Sequence, residues 1–420
     1  MTGRRARVLI VAGEASGDLY GSLVMRAMEG KAERQAARNA TGSGGEVETR
    51  DRRVQFIGIG GPSMRLAGLR PLGDAGLIGV TGFLEVLGSA RAIWNAYREA
   101  RGLLDSAERP DLALLIDYPD FNIRLAHRAR RSGVPVLYFV SPQVWAWRKW
   151  RVRRIAAVVG RMLVILPFEE ELYRRAGVPV EFVGHPLLDL VRTTRTREQT
   201  LRPAGLDPLR PTVALLPGSR TNELRAHLAI MLAAARRLRE EFRDLQFLVP
   251  IAPTLARDVV ESIVREERRR AQASGDRAAD LGCALLEEGR YDAVAACDAA
   301  VVASGTATLE TALLGVPMVI VYRMNALTFA LARLISDVPH VGMPNLIAGS
   351  RIVPELVQRE CTPERISHEL RRILTDPTIA ATMRRDLSGV RSRLGAPGAI
   401  DRVARSAWDM IGARERTRVA

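Results

Sequence analysis

AAVVASGTATLE, residues 299–310, is the stretch on which the reading of this chain turns. Ala299–Ala303 is a short, uniformly apolar run, the pattern of a strand buried on both faces. Ser304, Gly305 and Thr306 then supply backbone N–H groups and hydroxyls, and a helix opens behind them. Donors at the positive end of a helix suit an anionic group such as a phosphate. Glu310 lies about one turn further along, on the same face as Thr306. A phosphate at the helix mouth and a carboxylate one turn in would match a nucleotide's diphosphate and its ribose hydroxyls.

The same strand-to-helix pattern recurs on either side. Apolar runs bounded by turn residues occupy Arg7–Ala12, Val54–Ile59, Asp111–Ile116, Val134–Val140, Arg161–Leu166 and Val178–Val183. After a break they resume at Thr212–Leu216, Leu245–Pro250, Cys283–Glu287, Ala299–Ala303 and Pro317–Tyr322. Short apolar strands alternating with helices predict parallel sheets covered on both faces. The expected fold class is α/β, with two doubly wound Rossmann-like domains facing a cleft. The first spans 1–190 and the second 212–390. A polar, arginine-rich linker at 191–211 carries Pro203, Pro208 and Pro211, and 391–420 reads as a C-terminal helix and charged tail. Residues Gly30–Arg53, glycine-rich around Gly42–Gly45, predict a long surface loop.

In open α/β sheets ligands bind beyond the carboxyl ends of the strands, so the turns leaving them are where chemistry is sought. After the first strand, Gly13, Glu14, Ser16 and Gly17 make a donor-rich turn, read either as a ligand site or as a tight turn with Asp18 as helix cap. Neither GxGxxG nor GxxxxGK[ST] is present, so no dinucleotide fingerprint or P-loop is supported. Asp117 stands at the end of the strand Asp111–Ile116, placed to take a proton from a substrate hydroxyl. Asp120, behind Pro119, reads as the N-cap of a helix Phe121–Arg131. Gly218, Ser219 and Arg220 follow the strand Thr212–Leu216, and an arginine's planar fork suits phosphate oxygens. Glu223 is expected to serve the helix dipole. Three of the five tryptophans and five basic residues fall within Trp145–Arg154. That cluster fits a membrane interface, stacked bases, or a packed tryptophan pair beside a solvated basic helix.

Composition sets the outer bounds. The chain has 420 residues, and 62 basic against 47 acidic side chains give a net charge of +15. Such a balance suits phosphate-bearing partners but names none. Cys283, Cys297 and Cys361 are too far apart for a disulfide framework or a CxxC zinc site, and no HxxxH or HExxH occurs, so no metal site is expected. The apolar stretch Val8–Ala12 is too short for a signal sequence, and no run reaches the roughly 18 residues needed to span a bilayer. A cytosolic location follows as the expectation.

Taken in order, AGEASGD (12–18), GIGGPSM (58–64), GFLEVL (82–87), IDYPDFN (116–122) and YFVSPQVWAWR (138–148) resemble the lipid-A-disaccharide synthases. LPFE (166–169), FVGHPL (182–187), LLPGSR (215–220), ASGTATLE (303–310), PMVIVYRM (317–324) and MPNLIAG (343–349) continue the likeness. These are bacterial inverting glycosyltransferases of the GT-B fold. The resemblance implies transfer from UDP-2,3-diacylglucosamine to 2,3-diacylglucosamine 1-phosphate (lipid X), releasing UDP and giving a β-1,6-linked disaccharide phosphate. It implies Asp117 as general base and Arg220 as a residue on which activity depends. It also implies a UDP site at Ser304, Gly305, Thr306 and Glu310, with Arg323 on the diphosphate and Asn345 at the cleft. No cofactor is expected, and no Asp-x-Asp pair marks an obligatory Mg²⁺. Expected partners are the two acylated substrates and the inner face of the inner membrane, reached peripherally through Leu77–Leu87 and Asn325–Ile335. A homodimer is left open. Nucleic acid is not expected, because no nucleic-acid motif accompanies the charge.

Overall fold

The computed structural model describes residues 5–40, 54–72, 86–142, 144, 151–276, 281–324 and 339–419. The chain divides into two compact units, Met1–Pro186 with Leu394–Ala420, and Leu187–Arg393.

The first unit is built on β1 (Arg7–Ala12), β2 (Gln55–Ile59), β3 (Arg70–Pro71), β4 (Leu112–Ile116), β5 (Val136–Phe139), β6 (Arg161–Val164) and β7 (Val180–Phe182). They form one sheet in the order β3-β2-β1-β4-β5-β6-β7. The second unit contains β8 (Thr212–Leu216), β9 (Gln246–Pro250), β10 (Ala284–Leu286), β11 (Ala299–Ala303), β12 (Met318–Tyr322) and β13 (Glu355–Val357), in the order β10-β9-β8-β11-β12-β13. Every pairing is parallel. Parallel neighbours need crossover connections, and the helices that make them cover both faces of each sheet. That is why Leu9, Val11, Leu115, Tyr138 and Met162 are fully buried on the first sheet.

All eleven strands read from the sequence are present, each end within two residues. Two of the four edge strands, β3 and β13, are not readable from the sequence. Arg70–Pro71 and Glu355–Val357 carry a charge or a proline instead of an apolar run, as edges often do.

Three other expectations change. The helix Ala15–Ala40 runs through eleven residues read as loop, while 41–53 lie outside the described residues. The expected linker 191–211 holds a helix, Arg197–Leu201, inside the second unit. Its Arg197 guanidinium donates to the carbonyls of Ala296 (2.6 Å), Pro208 (2.8 Å) and Arg210 (2.7 Å) and pairs with Asp298 at 3.0 Å. The C-terminal helix Ala399–Val419 is no appendage but part of the first unit. Trp408 Nε1 donates to Met28 O (3.3 Å), Arg414 to Pro110 O (2.6 Å), and Arg161 to Ser406 Oγ (3.0 Å).

Each sheet reverses its winding once. In the first unit the reversal lies between β1 and β4, where Ala12 pairs with Ile116. In the second it lies between β8 and β11, where Leu216 pairs with Val302. Turns leaving strands at such a switch point diverge and leave a crevice between them. The fold therefore brings Gly13–Glu14 beside Asp117, and Pro217–Arg220 beside Ser304–Thr306.

Candidate functional site

In the first unit the crevice is built around a strained turn. Asp117 and Tyr118 both adopt left-handed backbone, at φ 46° and 49°. Neither is glycine, and such residues cost on the order of 1–3 kcal/mol each. Asp117 is partly buried. Burial first, and then the Glu14 carboxylate across the switch point, push its carboxyl up to about 7, while the Tyr118 N–H pulls the other way. A carboxyl that titrates near neutrality is suited to general-base work. Gly13 is required by the same turn, because a Cβ there would lie 2.3 Å from the Tyr118 ring.

Asp120 is not the N-cap of the following helix, which begins at Pro119 with Tyr118 in the cap position. It sits in the first turn and pairs with Arg151 at 2.5 Å. Asp18 does act as a cap, but of another helix. Its two carboxylate oxygens accept from Ser63 N (2.9 Å) and Met64 N (3.0 Å), at the start of the helix Pro62–Leu66. The AGEASGD and GIGGPSM segments are thus tied by one carboxylate, with Gly17 buried and Ser16 partly exposed.

In the second unit three turns converge at the strand ends. Gly305 and Thr306 are exposed at the mouth of the helix Thr306–Leu313, and Ser304 Oγ donates to Val341 O at 2.7 Å. Glu310 is buried, with Oε1 accepting from Arg290 (2.5 Å) and the Tyr291 hydroxyl (3.0 Å). Burial and the Glu310 charge push the Tyr291 phenol up to about 12, so it remains a donor at any working pH. Arg220 and Arg323 are exposed at the ends of their turns. Glu223 does more than complement a dipole. It accepts from Ser219 N (3.0 Å) and Arg220 N (3.3 Å), and pairs with the Arg220 guanidinium at 3.2 Å. Gly218, at φ 120°, leaves the space that the Glu223 side chain fills.

His227 fastens two of these turns together. The buried ring sits with Nδ1 3.1 Å from Pro217 O, and its Nε2 is 3.0 Å from Arg323 N. A carbonyl only accepts and an amide N–H only donates, so Nδ1 carries the proton and Nε2 the lone pair. Burial holds the ring below its ordinary pKa and keeps this neutral form. Since β11 lies between β8 and β12, one side chain links the GSR and YRM turns on either side of the Ser304 turn.

Asn345 does not present its amide to a ligand. It is fully buried, donating to Val353 O (2.9 Å) and Glu355 Oε1 (2.7 Å) and accepting from Ile352 N (2.8 Å) and Val353 N (2.9 Å). Glu355 also accepts from Val341 N and Gly342 N, so the pair braces the segment that receives the Ser304 hydroxyl.

Arg290, Tyr291 and His227 were not singled out from the sequence. Arg290 is one of sixty arginines and Tyr291 follows it without a motif; His227 lies on a helix face that spacing alone marks as core. Among the described residues no group of three or more His, Cys, Asp or Glu could hold a metal ion. The stretches Leu77–Leu87 and Trp145–Arg154 fall largely, and Asn325–Ile335 wholly, outside the described residues.

The sequence from 8 to 393 matches the profile of the lipid-A-disaccharide synthetase (LpxB) family. It is 45% identical over 404 residues to the lipid-A-disaccharide synthase of Syntrophus aciditrophicus, covering 96% of this chain and 97% of that one. The chain belongs to the lipid-A-disaccharide synthase family. The Geobacter sulfurreducens lipid-A-disaccharide synthase is 43% identical over 406 residues, covering 97% of each. As a lipid-A-disaccharide synthase, the chain is a glycosyltransferase of lipid A biosynthesis. Solved structures share the fold at low identity. The calicheamicin glycosyltransferase CalG4 aligns over all of both chains with a TM-score of 0.56 and 16% identity. S. aureus MnaA, solved with UDP, aligns over 95% of both with a TM-score of 0.57 and 11% identity. Two parallel Rossmann-like sheets of this kind are the GT-B arrangement.

Proposed function

We propose that the synthase transfers the diacylglucosamine of UDP-2,3-diacylglucosamine to the 6-hydroxyl of 2,3-diacylglucosamine 1-phosphate. Asp117 is the general base in this reading. The observation that carries it is Asp117 itself, a partly buried carboxyl at a switch point, held in strained backbone and titrating near 7. Asp117 takes the proton of the acceptor hydroxyl as the oxygen attacks the anomeric carbon. The bond to the UDP oxygen breaks on the opposite face with its electrons leaving on UDP, and an α-linked donor becomes a β-linked product.

The second unit's residues suit the donor. The open helix mouth at Gly305 and Thr306, with Ser304, faces the diphosphate, and Arg220 and Arg323 balance the charge that builds on it. Fixed donors of this kind contribute about 2.7–4 kcal/mol each to a transition state. Glu310 accepts from the ribose hydroxyls through Oε2, because Oε1 is already committed to Arg290 and Tyr291. Gly218 and Ser219 shape the turn that aims Arg220. Gly13, Glu14, Ser16 and Gly17 line the acceptor side.

Both substrates carry acyl chains, so the enzyme works at a lipid surface, on the cytoplasmic face of the inner membrane. The +15 net charge supports attraction to anionic lipid. Among the described residues no helix is long and apolar enough to cross a membrane.

The test is UDP release by purified protein given UDP-2,3-diacylglucosamine in detergent, with and without lipid X. Release that depends on lipid X and yields a disaccharide phosphate, and that Asp117→Asn lowers by about 10²–10⁴-fold to a small residual rate, is the expected result. Lipid-X-independent consumption of the donor would overturn the proposed acceptor.

A further inference from the structure

The geometry points to Asn122 and Tyr138 as positioning residues that hold Asp117 in its working conformation, an inference that rests on Asp117 being the base. The Asp117 carbonyl accepts from two buried side chains, Asn122 Nδ2 at 2.7 Å and the Tyr138 hydroxyl at 2.5 Å. The same Asn122 amide nitrogen donates to Ile116 O at 3.2 Å, and Asp117 N donates to Phe139 O at 3.1 Å. Four hydrogen bonds therefore fix the backbone on both sides of one carboxylate.

The cost of this arrangement argues that it serves more than packing. Asn122 is fully buried, yet its Oδ1 has no hydrogen-bond partner. Flipping the amide would set that oxygen against the carbonyls of Ile116 and Asp117, so the orientation is forced. A buried orphan oxygen adds to two consecutive left-handed residues and a half-desolvated carboxyl. The fold does not demand any of this. After β6 the chain enters the helix Pro167–Arg175 with a proline in the same place, and its cap residue, Leu166, sits at φ −114° and ψ 133°. The turn after β4 could be built as cheaply. What distinguishes it is the carboxylate that it aims.

Tyr138 is well placed for a permanent role. It is a core residue of β5, with its neighbour Leu115 across the pairing to β4. Burial, with Asp117 adding to it, raises its phenol well above the ordinary range, so it stays a donor wherever the enzyme works.

The experiment compares Tyr138→Phe and Asn122→Ala, alone and combined with Asp117→Asn, in steady-state assays with both substrates in detergent. Circular dichroism checks that each variant is folded. A 1 Å displacement of a reacting group costs on the order of 10²-fold. Losses of about 10- to 100-fold in kcat are expected for each single variant, with the donor KM within about twofold. In the Asp117→Asn background the same changes should lower the residual rate by less than about twofold, because the group they position is gone. Equal losses in both backgrounds, or a folded Tyr138→Phe with wild-type kcat, would overturn the inference. Should Asn122→Ala fail to fold, Tyr138→Phe, which keeps the side chain's shape, decides the matter alone. If Asp117→Asn itself turns over at the wild-type rate, the base assignment falls, and the positioning role falls with it for that separate reason.

Discussion

Replacing Glu14 by Gln should make the enzyme relatively more active in mild acid. Asp117 titrates near 7, raised first by burial and then by the Glu14 carboxylate. The other titratable groups about it are the phenols of Tyr118 and Tyr138, both pushed upward and so neutral throughout this range. In the wild type kcat/KM should therefore climb about tenfold per pH unit below 7 and level off above it. In Glu14→Gln the like charge is gone but the burial remains. The rising limb moves to lower pH without reaching the ordinary carboxylate range.

The same shift is a stability statement. The folded carboxyl titrates near 7 against 3.8 when unfolded. Below 3.8 both states hold the proton, and the group costs nothing. Between 3.8 and 7 the unfolded chain releases its proton and the folded chain keeps it, so stability is lost as pH rises. At about 1.4 kcal/mol per pH unit the full loss is about 4 kcal/mol, and roughly half of that once solvent access to the partly exposed group is allowed for. Asp117→Asn removes the penalty. It should stabilise the protein by about 2 kcal/mol at pH 8 and hardly at all at pH 4, measured by urea unfolding, while losing most of its activity. A wild-type limb near pH 4–5, or a limb that Glu14→Gln leaves in place, would refute the reasoning.

Arg220→Ala should lower kcat by about 10²–10³-fold in the lipid-X-dependent assay, the cost of removing one donor from the departing diphosphate. His227→Leu leaves Pro217 O and Arg323 N without their partner; a loss of about 1–3 kcal/mol per orphaned group and a raised donor KM are expected from thermal unfolding and initial rates. Gly13→Ala would drive a methyl into the Tyr118 ring and should cut kcat while leaving UDP binding, followed by calorimetry, intact, since UDP is assigned to the other unit. EDTA should leave the turnover rate unchanged, as expected for a chain without an Asp-x-Asp pair.

Part of the candidate site was legible because its residues sit at strand ends. A buried strand announces itself by an unbroken apolar run, and whatever polar residue ends the run stands at the carboxyl edge. Asp117, Arg220 and Ser304–Thr306 were found in that way. Asn345 was drawn in by its motif, and only the structure revealed that its amide is consumed by Val353, Ile352 and Glu355.

The sequence alone determined the α/β class, eleven of the thirteen strands and, through its ordered motifs, the family, because those signals are local and periodic. Tertiary structure decided which turns meet. Strand order set Glu14 beside Asp117 across more than a hundred residues, carried His227 from a helix to two separate loops, and returned the C-terminal helix to the first unit. It also decided the chemistry of Asp117, since a carboxyl's pKa is set by burial and neighbouring charge, neither of which a linear spacing encodes.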